Sequence, residues 1–278
     1  NISLSPLYSG AITGTPARPV SAGFIKGERL VVGLIEQGLR LDEGQLDLAF
    51  DAERVRLETL SFRSPQRMPP PDNRLEPPLG SGSLTGTGEF SLRSGKGHFD
   101  LDLARIATLQ QPGQWLLVSG KTSVESAWDS LDIRAKLRSD AGFVGMSRSS
   151  APSLSEDVKV RGREKPPQRV RINADVNFDF GENFILKAYG VDAWLEGLLR
   201  IRLAQGATPQ TSGSIRTREG FFNAYGQKLE IERGAVNFHG PVSNPGLNIL
   251  ARRRGLEVEA GVEVTGTAQR PRVRLISE

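Results

Sequence analysis

Apolar and polar residues alternate singly along much of this chain. Val170, Ile172, Ala174, Val176, Phe178 and Phe180 take every second position, and Arg171, Asn173, Asp175, Asn177 and Asp179 take the positions between. Successive side chains of a β-strand point to opposite faces, so this segment reads as one long strand with an apolar and a charged face. Leu46–Phe50, Phe99–Leu103 and Leu131–Leu137 repeat the pattern. So do Leu256, Val258, Ala260, Val262 and Val264 against Glu257, Glu259 and Glu263. No long segment carries the three-and-four spacing of an amphipathic helix. Charged residues on the outer face also discourage edge-to-edge aggregation.

Turn residues punctuate these runs, as in Gly95-Lys96-Gly97, Ser139-Asp140-Ala141-Gly142 and Gly181-Glu182-Asn183. Glycine supplies positive φ there, and Asp or Asn bonds its own backbone. The spacing predicts an all-β, elongated antiparallel sheet of roughly 18 strands. Ile12-Thr13-Gly14-Thr15 with Pro19 is echoed by Val264-Thr265-Gly266-Thr267 with Pro271, and Leu84-Thr85-Gly86-Thr87 opens alike without the proline. The repeat reads as a strand end, a turn, and a proline opening the next strand where no ladder donor is required.

Two segments break the alternation. Residues 63–79 hold Pro65, Pro69, Pro70, Pro71, Pro77 and Pro78, which predicts an exposed loop or a rung insertion. Residues 147–168 are rich in Ser, Pro and charge. The expected organisation is an upstream β segment over 1–146, a linker over 147–168 and a C-terminal β domain over 169–278, truncated at its end. With Asn1 first and no leader in view, the chain reads as a fragment or a processed form.

Composition narrows the chemistry. The absence of cysteine removes disulfides, thiolate nucleophiles and iron–sulfur clusters. A net charge of +4, spread along the chain, does not argue for nucleic acid. Nothing approaches the roughly 18 uncharged apolar residues of a membrane-spanning helix. His98 and His239 sit among turn residues, which fits edge exposure better than metal ligation. Asp100 and Asp102 share a strand face and read as a solvated pair, not an acid–base pair. Gly120-Lys121-Thr122 lacks the earlier glycine of a phosphate loop, since Trp115 stands there. Arg252-Arg253-Arg254 is the densest basic run and reads as a solvated turn, with a phosphate or lipid-headgroup contact as the alternative. Neither catalytic residues, a cofactor nor a metal site is expected.

The last third of the chain carries a longer signature. Glu219-Gly220-Phe221-Phe222-Asn223-Ala224-Tyr225-Gly226-Gln227 is followed by Arg233-Gly234-Ala235-Val236-Asn237-Phe238-His239-Gly240-Pro241. Then come Asn244-Pro245-Gly246-Leu247-Asn248-Ile249 and Val264-Thr265-Gly266-Thr267. In order and spacing these blocks resemble the C-terminal region of the TamB family, the inner-membrane-anchored subunit of the bacterial translocation and assembly module, over roughly residues 160–278. Read from the residues alone, Tyr225-Gly226-Gln227 is a hairpin corner, and Gly240-Pro241 and Asn244-Pro245 bound another turn. Ala224, Tyr225, Gly226, Gln227, Arg233, Gly234, Gly240, Pro241, Asn244 and Pro245 are therefore expected to shape the rungs.

The resemblance implies a taco-like groove with an apolar concave face, in the manner of AsmA-like and TamB bridge-like proteins. It implies a periplasmic location, an inner-membrane anchor preceding this chain, phospholipid acyl chains as cargo, an outer-membrane barrel subunit of the TamA type as partner, and outer-membrane β-barrel proteins as clients. Alternation picks out the groove lining as Val170, Ile172, Val176, Phe178, Phe180, Leu229, Ile231, Val236, Phe238, Leu247, Ile249, Val258, Val262 and Val264. The rival expectation is a structural or adhesive β-solenoid with a closed, dry core and no ligand.

Overall fold

The computed structural model describes residues 2–3, 6–15, 18–34, 37–77, 80–146, 170–224, 227–253 and 260–277. Among these residues seventeen strands form one sheet and no α-helix occurs. The strands are β1 (Ile2–Ser3), β2 (Pro6–Thr15), β3 (Arg18–Leu34), β4 (Leu39–Phe50), β5 (Arg54–Ser64) and β6 (Gly82–Ser91). Then follow β7 (Lys96–Gln111), β8 (Gln114–Ser126), β9 (Ser130–Met146), β10 (Arg171–Asp179), β11 (Phe184–Ala188) and β12 (Val191–Leu203). The last are β13 (Gln210–Ala224), β14 (Gln227–Pro241), β15 (Gly246–Arg252), β16 (Ala260–Thr267) and β17 (Arg270–Ser277).

From β2 to β9 each strand pairs antiparallel with the next, and so does each from β12 to β17. The two meanders meet at a single interrupted rung. There β10 and β11 lie end to end, both antiparallel to β12 and both parallel to β9. The antiparallel expectation thus holds everywhere except at this seam. Met146 and Arg171 consequently stand at opposite ends of neighbouring rungs.

The repeated Thr-Gly-Thr and proline segments fold alike. Gly14 pairs with Pro19 in the β2–β3 hairpin, and Gly266 pairs with Pro271 in the β16–β17 hairpin. The third copy differs: Leu84–Thr87 lies inside β6, where no proline follows. Two expected turns are not turns. Residues 139–142 continue β9, which absorbs Asp140 as an extra residue where Val118 pairs with Ser139 and Leu117 with Ala141. Residues 181–183 interrupt a rung without reversing the chain.

These irregularities belong to a series. The register shifts between Gly27 and Leu30, Asp42 and Gln45, Leu103 and Ile106, Leu117 and Val118, Trp194 and Leu195, and Ile231 and Arg233. Followed through the pairing, they fall on one line across the sheet, with the 180–183 interruption on it. Arg29, Glu43 and Arg105, three non-glycine residues on that line, have left-handed φ of 54°, 51° and 49°. An extra residue bends its strand and increases the local twist, so a row of them creases the sheet. Near one end of the crease Leu30, Leu41, Phe62 and Ile106 form a buried cluster. In a flat sheet the strands of Leu41 and Ile106 would stand about 14 Å apart. Gly44 is required there, since a Cβ would come within 2.2 Å of the Phe62 ring.

The proline-rich segment departs in part from expectation. Arg63 and Ser64 finish β5, and residues 65–77, inserted between β5 and β6, form a strap packed down on the sheet, with Pro69, Pro71 and Pro77 exposed and Leu75 buried. Leu75 (3% exposed) and Met68 cover Ala107, Trp115, Leu117, Phe143 and Ile185. Trp115, with no exposed surface, donates its indole N–H to the Met68 carbonyl at 3.2 Å. The Gln110 carboxamide accepts from the Arg67 and Met68 amides and donates to the Pro65 carbonyl. Proline suits such a strap because it leaves fewer backbone donors to satisfy in a packed, non-repetitive segment.

Candidate functional site

Residues paired across a ladder point to the same side of a sheet, so the register assigns every strand its faces. Starting from Ile172, Val176 and Phe178 in β10, the partners are Leu131, Ala135 and Leu137 in β9. On the other side, Val176 and Phe178 pair with Ile201 and Leu199 in β12. The same face continues through Val124, Phe99 and Gly88 to Leu57, Leu48 and Ile25. In the opposite direction it runs through Ile215, Val236, Leu247, Gly266 and Pro271, with Val264 and Val273 beside the last pair. Most of these apolar side chains are half-buried. Rings on this face lie over glycines: a Cβ on Gly88 would sit 2.4 Å from the Phe99 ring, and one on Gly142 would sit 2.4 Å from the Phe184 ring.

The candidate lining residues distribute as follows. Ile172, Val176, Phe178, Val236, Phe238, Leu247, Ile249, Val262 and Val264 share this face through the ladders. Leu229, opposite Phe222, and Ile231, opposite Ala251, join it. Leu229 and Phe238 are buried. Phe180 lies just past β10 and packs edge-on against Phe178 and Phe184, with centroids 5.2 Å and 4.8 Å away. Val170 precedes β10 and is exposed. Val258 lies outside the described residues.

The signature residues stitch neighbouring turns together. Ala224 pairs with Gln227 across a two-residue corner, whose Tyr225 and Gly226 lie outside the described residues. The Gln227 side-chain oxygen accepts from Arg253 at the end of β15. At the other end of the rungs, Asn244 Oδ1 accepts the Gln269 amide and the Pro245 carbonyl accepts the Ala268 amide. The β14–β15 turn therefore holds the β16–β17 turn. Arg233 reaches Glu263 at 3.6 Å, and Gly234 leaves the Thr217 side chain the space that a Cβ would fill. Gly240 and Pro241 close β14. Arg252 belongs to β15, with Glu232 3.6 Å away; Arg254 lies outside the described residues.

The opposite face is charged. Asp175 accepts both hydrogen bonds of the Arg200 fork, at 2.8 and 2.6 Å, and these hold its carboxyl below the usual range, with Arg202 and Arg134 adding to the effect. His98 lies in β7, not in a turn, and His239 lies in β14. His98 stands between Asp100 and Glu125, each 3.0 Å from a ring nitrogen, and Asp100 foremost raises its pKa. Among the described residues no group of His, Cys, Asp or Glu is arranged to hold a metal ion, and no helix is long and apolar enough to cross a membrane.

Alternation misses the patch beneath the strap. Register sets Trp115, Phe143, Ile185 and Trp194 in one row on the charged face. Over this row Asp72 bonds Arg74 and Lys187, Arg74 also bonds Asp192, and Arg74 and Arg218 stack on Trp194. The sequence signal was loss of alternation: Trp115-Leu116-Leu117-Val118 and Phe184-Ile185-Leu186 are continuous apolar runs, as expected where both faces of a strand are covered.

Comparison with known proteins agrees with this architecture. Residues 74–278 match the family model described as the TamB C-terminal domain, so the match starts well upstream of residue 160. A subunit TamB of the translocation and assembly module from Haemophilus influenzae is 33% identical over 131 residues, covering 45% of this chain. The matched stretch amounts to 10% of that relative's length. With most of its length inside the family's C-terminal domain, this chain belongs to the TamB family.

Proposed function

We propose that this chain is a section of a periplasmic hydrophobic groove that carries phospholipid acyl chains between the inner and outer membranes and assists the assembly of outer-membrane β-barrel proteins. The observation that carries this reading is the single apolar face traced through the ladders from β3 to β17. An apolar face of that extent must be covered, by its own fold or by cargo. Each acyl CH₂ removed from water contributes about 0.8 kcal/mol, so a uniform track holds a chain without gripping it at one point. Such a device works by transfer free energy and uses no reacting group, no cofactor and no catalytic residue. The module named for the Haemophilus relative fits a role in translocation and assembly. In this reading an inner-membrane anchor precedes the chain, a TamA-type barrel is its outer-membrane partner, and barrel proteins are its clients. The closed-core alternative draws on the cluster of Leu30, Leu41, Phe62 and Ile106, which fills one end of the same face.

A photo-crosslinking residue at Ile201, on the apolar face, is expected to capture phospholipid in cells, and one at Arg200, on the charged face, is not. Absence of lipid at Ile201, or equal yields at both, overturns the groove.

A further inference from the structure

The apolar face reaches one margin of the sheet beside the turn that joins β8 and β9. There Val55, Phe90, Gly97, Ser126, Leu131 and Ile172 pair in register from β5 to β10, so they share one side of the sheet. Trp128, in the turn, packs edge-on against Phe90 of this row, with ring centroids 5.1 Å apart. Its indole nitrogen lies over the β6–β7 turn, where a Cβ on Gly95 would come within 1.8 Å of it. Trp128 is nonetheless 67% exposed. The other two tryptophans are covered: Trp115 has no exposed surface, and Trp194 is stacked under Arg74 and Arg218.

Two hydrogen-bond donors meet at this margin without an acceptor among the described residues. One is the Trp128 indole N–H, whereas the Trp115 indole is taken by the Met68 carbonyl. The other is the Ser126 hydroxyl, which is buried and has no hydrogen-bond partner there. A buried polar atom without a partner destabilises the fold, and a ligand acceptor can remove that penalty. Tryptophan suits a boundary of this kind, because its ring buries on an apolar surface while its N–H requires a polar partner. The neighbouring guanidiniums are already matched, Arg93 by Glu53 and Arg171 by Asp129. Neither arginine is left over for a bare anion. What the margin selects is apolar chain with neutral acceptors at one end.

We infer that this margin is a lip of the groove where a diacyl glycerophospholipid rests its chains on Phe90, Leu131 and Ile172 and its ester carbonyls accept from the Trp128 indole and the Ser126 hydroxyl. The inference rests on the groove reading and adds the place where the polar part of the lipid leaves the track. A bilayer surface is the rival occupant for an exposed tryptophan. The lip is favoured because Trp128 is joined to the apolar row through Phe90, and because the arginines beside it are paired with acids and not free for anionic headgroups.

Titration of the 278-residue chain, followed by calorimetry and by tryptophan emission, separates these cases. The probes are diheptanoyl phosphatidylcholine, its diether analogue with chains of the same length, both below their micelle concentrations, and vesicles of long-chain phosphatidylcholine. The diester is expected to bind about tenfold tighter than the diether, a difference of about 1.4 kcal/mol, and to shift the Trp128 emission to the blue. The diether is the more apolar of the two, so a featureless track would favour it instead. Trp128→Phe keeps a ring against Phe90 and removes the N–H. It should abolish the advantage of the diester and leave diether binding and the thermal melt unchanged. Ser126→Ala should weaken the diester several-fold, and unchanged affinity there would overturn the second contact. If the advantage survives Trp128→Phe, the lip is wrong. Diether binding as tight as diester in the unaltered chain removes the lip and leaves the groove standing. If neither monomeric lipid binds, lip and groove fall together. A blue shift with vesicles and none with the monomeric diester makes the turn a bilayer contact and overturns the lip.

Discussion

Asp72 shows how one carboxylate can hold a whole segment in place. Its side chain is 2% exposed and accepts from the Arg74 fork and from Lys187 on β11. The Arg74 bond, foremost, drives its carboxyl well below the ordinary range. A carboxyl with a depressed folded-state pKa stabilises fully above its unfolded value, near 3.8, and loses that contribution as pH falls toward the folded value. Urea titrations should therefore show Asp72→Asn less stable by about 2 kcal/mol at neutral pH, the gap narrowing below about pH 4. A constant gap down to the acid limit would contradict this. His98 has the opposite sign. Its folded pKa is raised above 6.5, so its two carboxylate contacts contribute below that pH and fade as pH climbs through the raised value. An NMR titration of the ring should place its midpoint above 6.5, and Glu125→Gln with Asp100→Asn should bring it back.

Strands and straps obey different rules of legibility. The alternation of Val170–Phe180 predicts β10 because one face of that strand is apolar and half-buried and the other is charged. Residues 139–142 mislead because Ser, Asp and Gly favour a turn and an extra bulge residue alike, and only the partner strand decides between them. The strap misleads because prolines mark irregular backbone, not exposure. What buries it is Trp115 and Ile185, reached only once the strands have paired. Which apolar positions share a side was readable wherever alternation was clean, whereas the Asp175–Arg200 pair emerges only once β10 and β12 have paired. Two substitutions follow at this scale. Leu75→Ala, under the strap, should cost about 3 kcal/mol in denaturant unfolding, as truncations in packed cores do. Arg105 holds left-handed backbone that costs a non-glycine residue roughly 1–2 kcal/mol. Arg105→Gly should thus be neutral or stabilising, and Arg105→Val destabilising by about 1–2 kcal/mol. If valine is tolerated there, the crease does not depend on that bulge.

At the scale of the molecule, the apolar face either carries cargo or closes on itself, and a buried charge tells the two apart. Phe178→Arg and Val262→Arg place a guanidinium on the face at β10 and β16. In an open, lipid-lined face both should block lipid transfer in a complementation assay while shifting the thermal midpoint by no more than a few degrees. In a closed core each would lower stability by several kcal/mol, because an unpaired charge would be stranded without water.

The parallel seam has a kinetic meaning. Every other ladder joins strands that are close neighbours in the chain, so each meander can zip up hairpin by hairpin with little loop entropy to overcome. At the seam, Asn173 finds Asp132 from 41 residues away, and two prebuilt half-sheets must dock along a rung before either edge is covered. Docking of preformed halves is an assembly step in all but covalent connection. A chain severed between Met146 and Val170 should therefore yield two fragments that recombine when mixed, at a rate rising with their concentration. Cuts within any hairpin should not heal this way. The seam is where this protein behaves as a heterodimer that happens to be translated as one polypeptide.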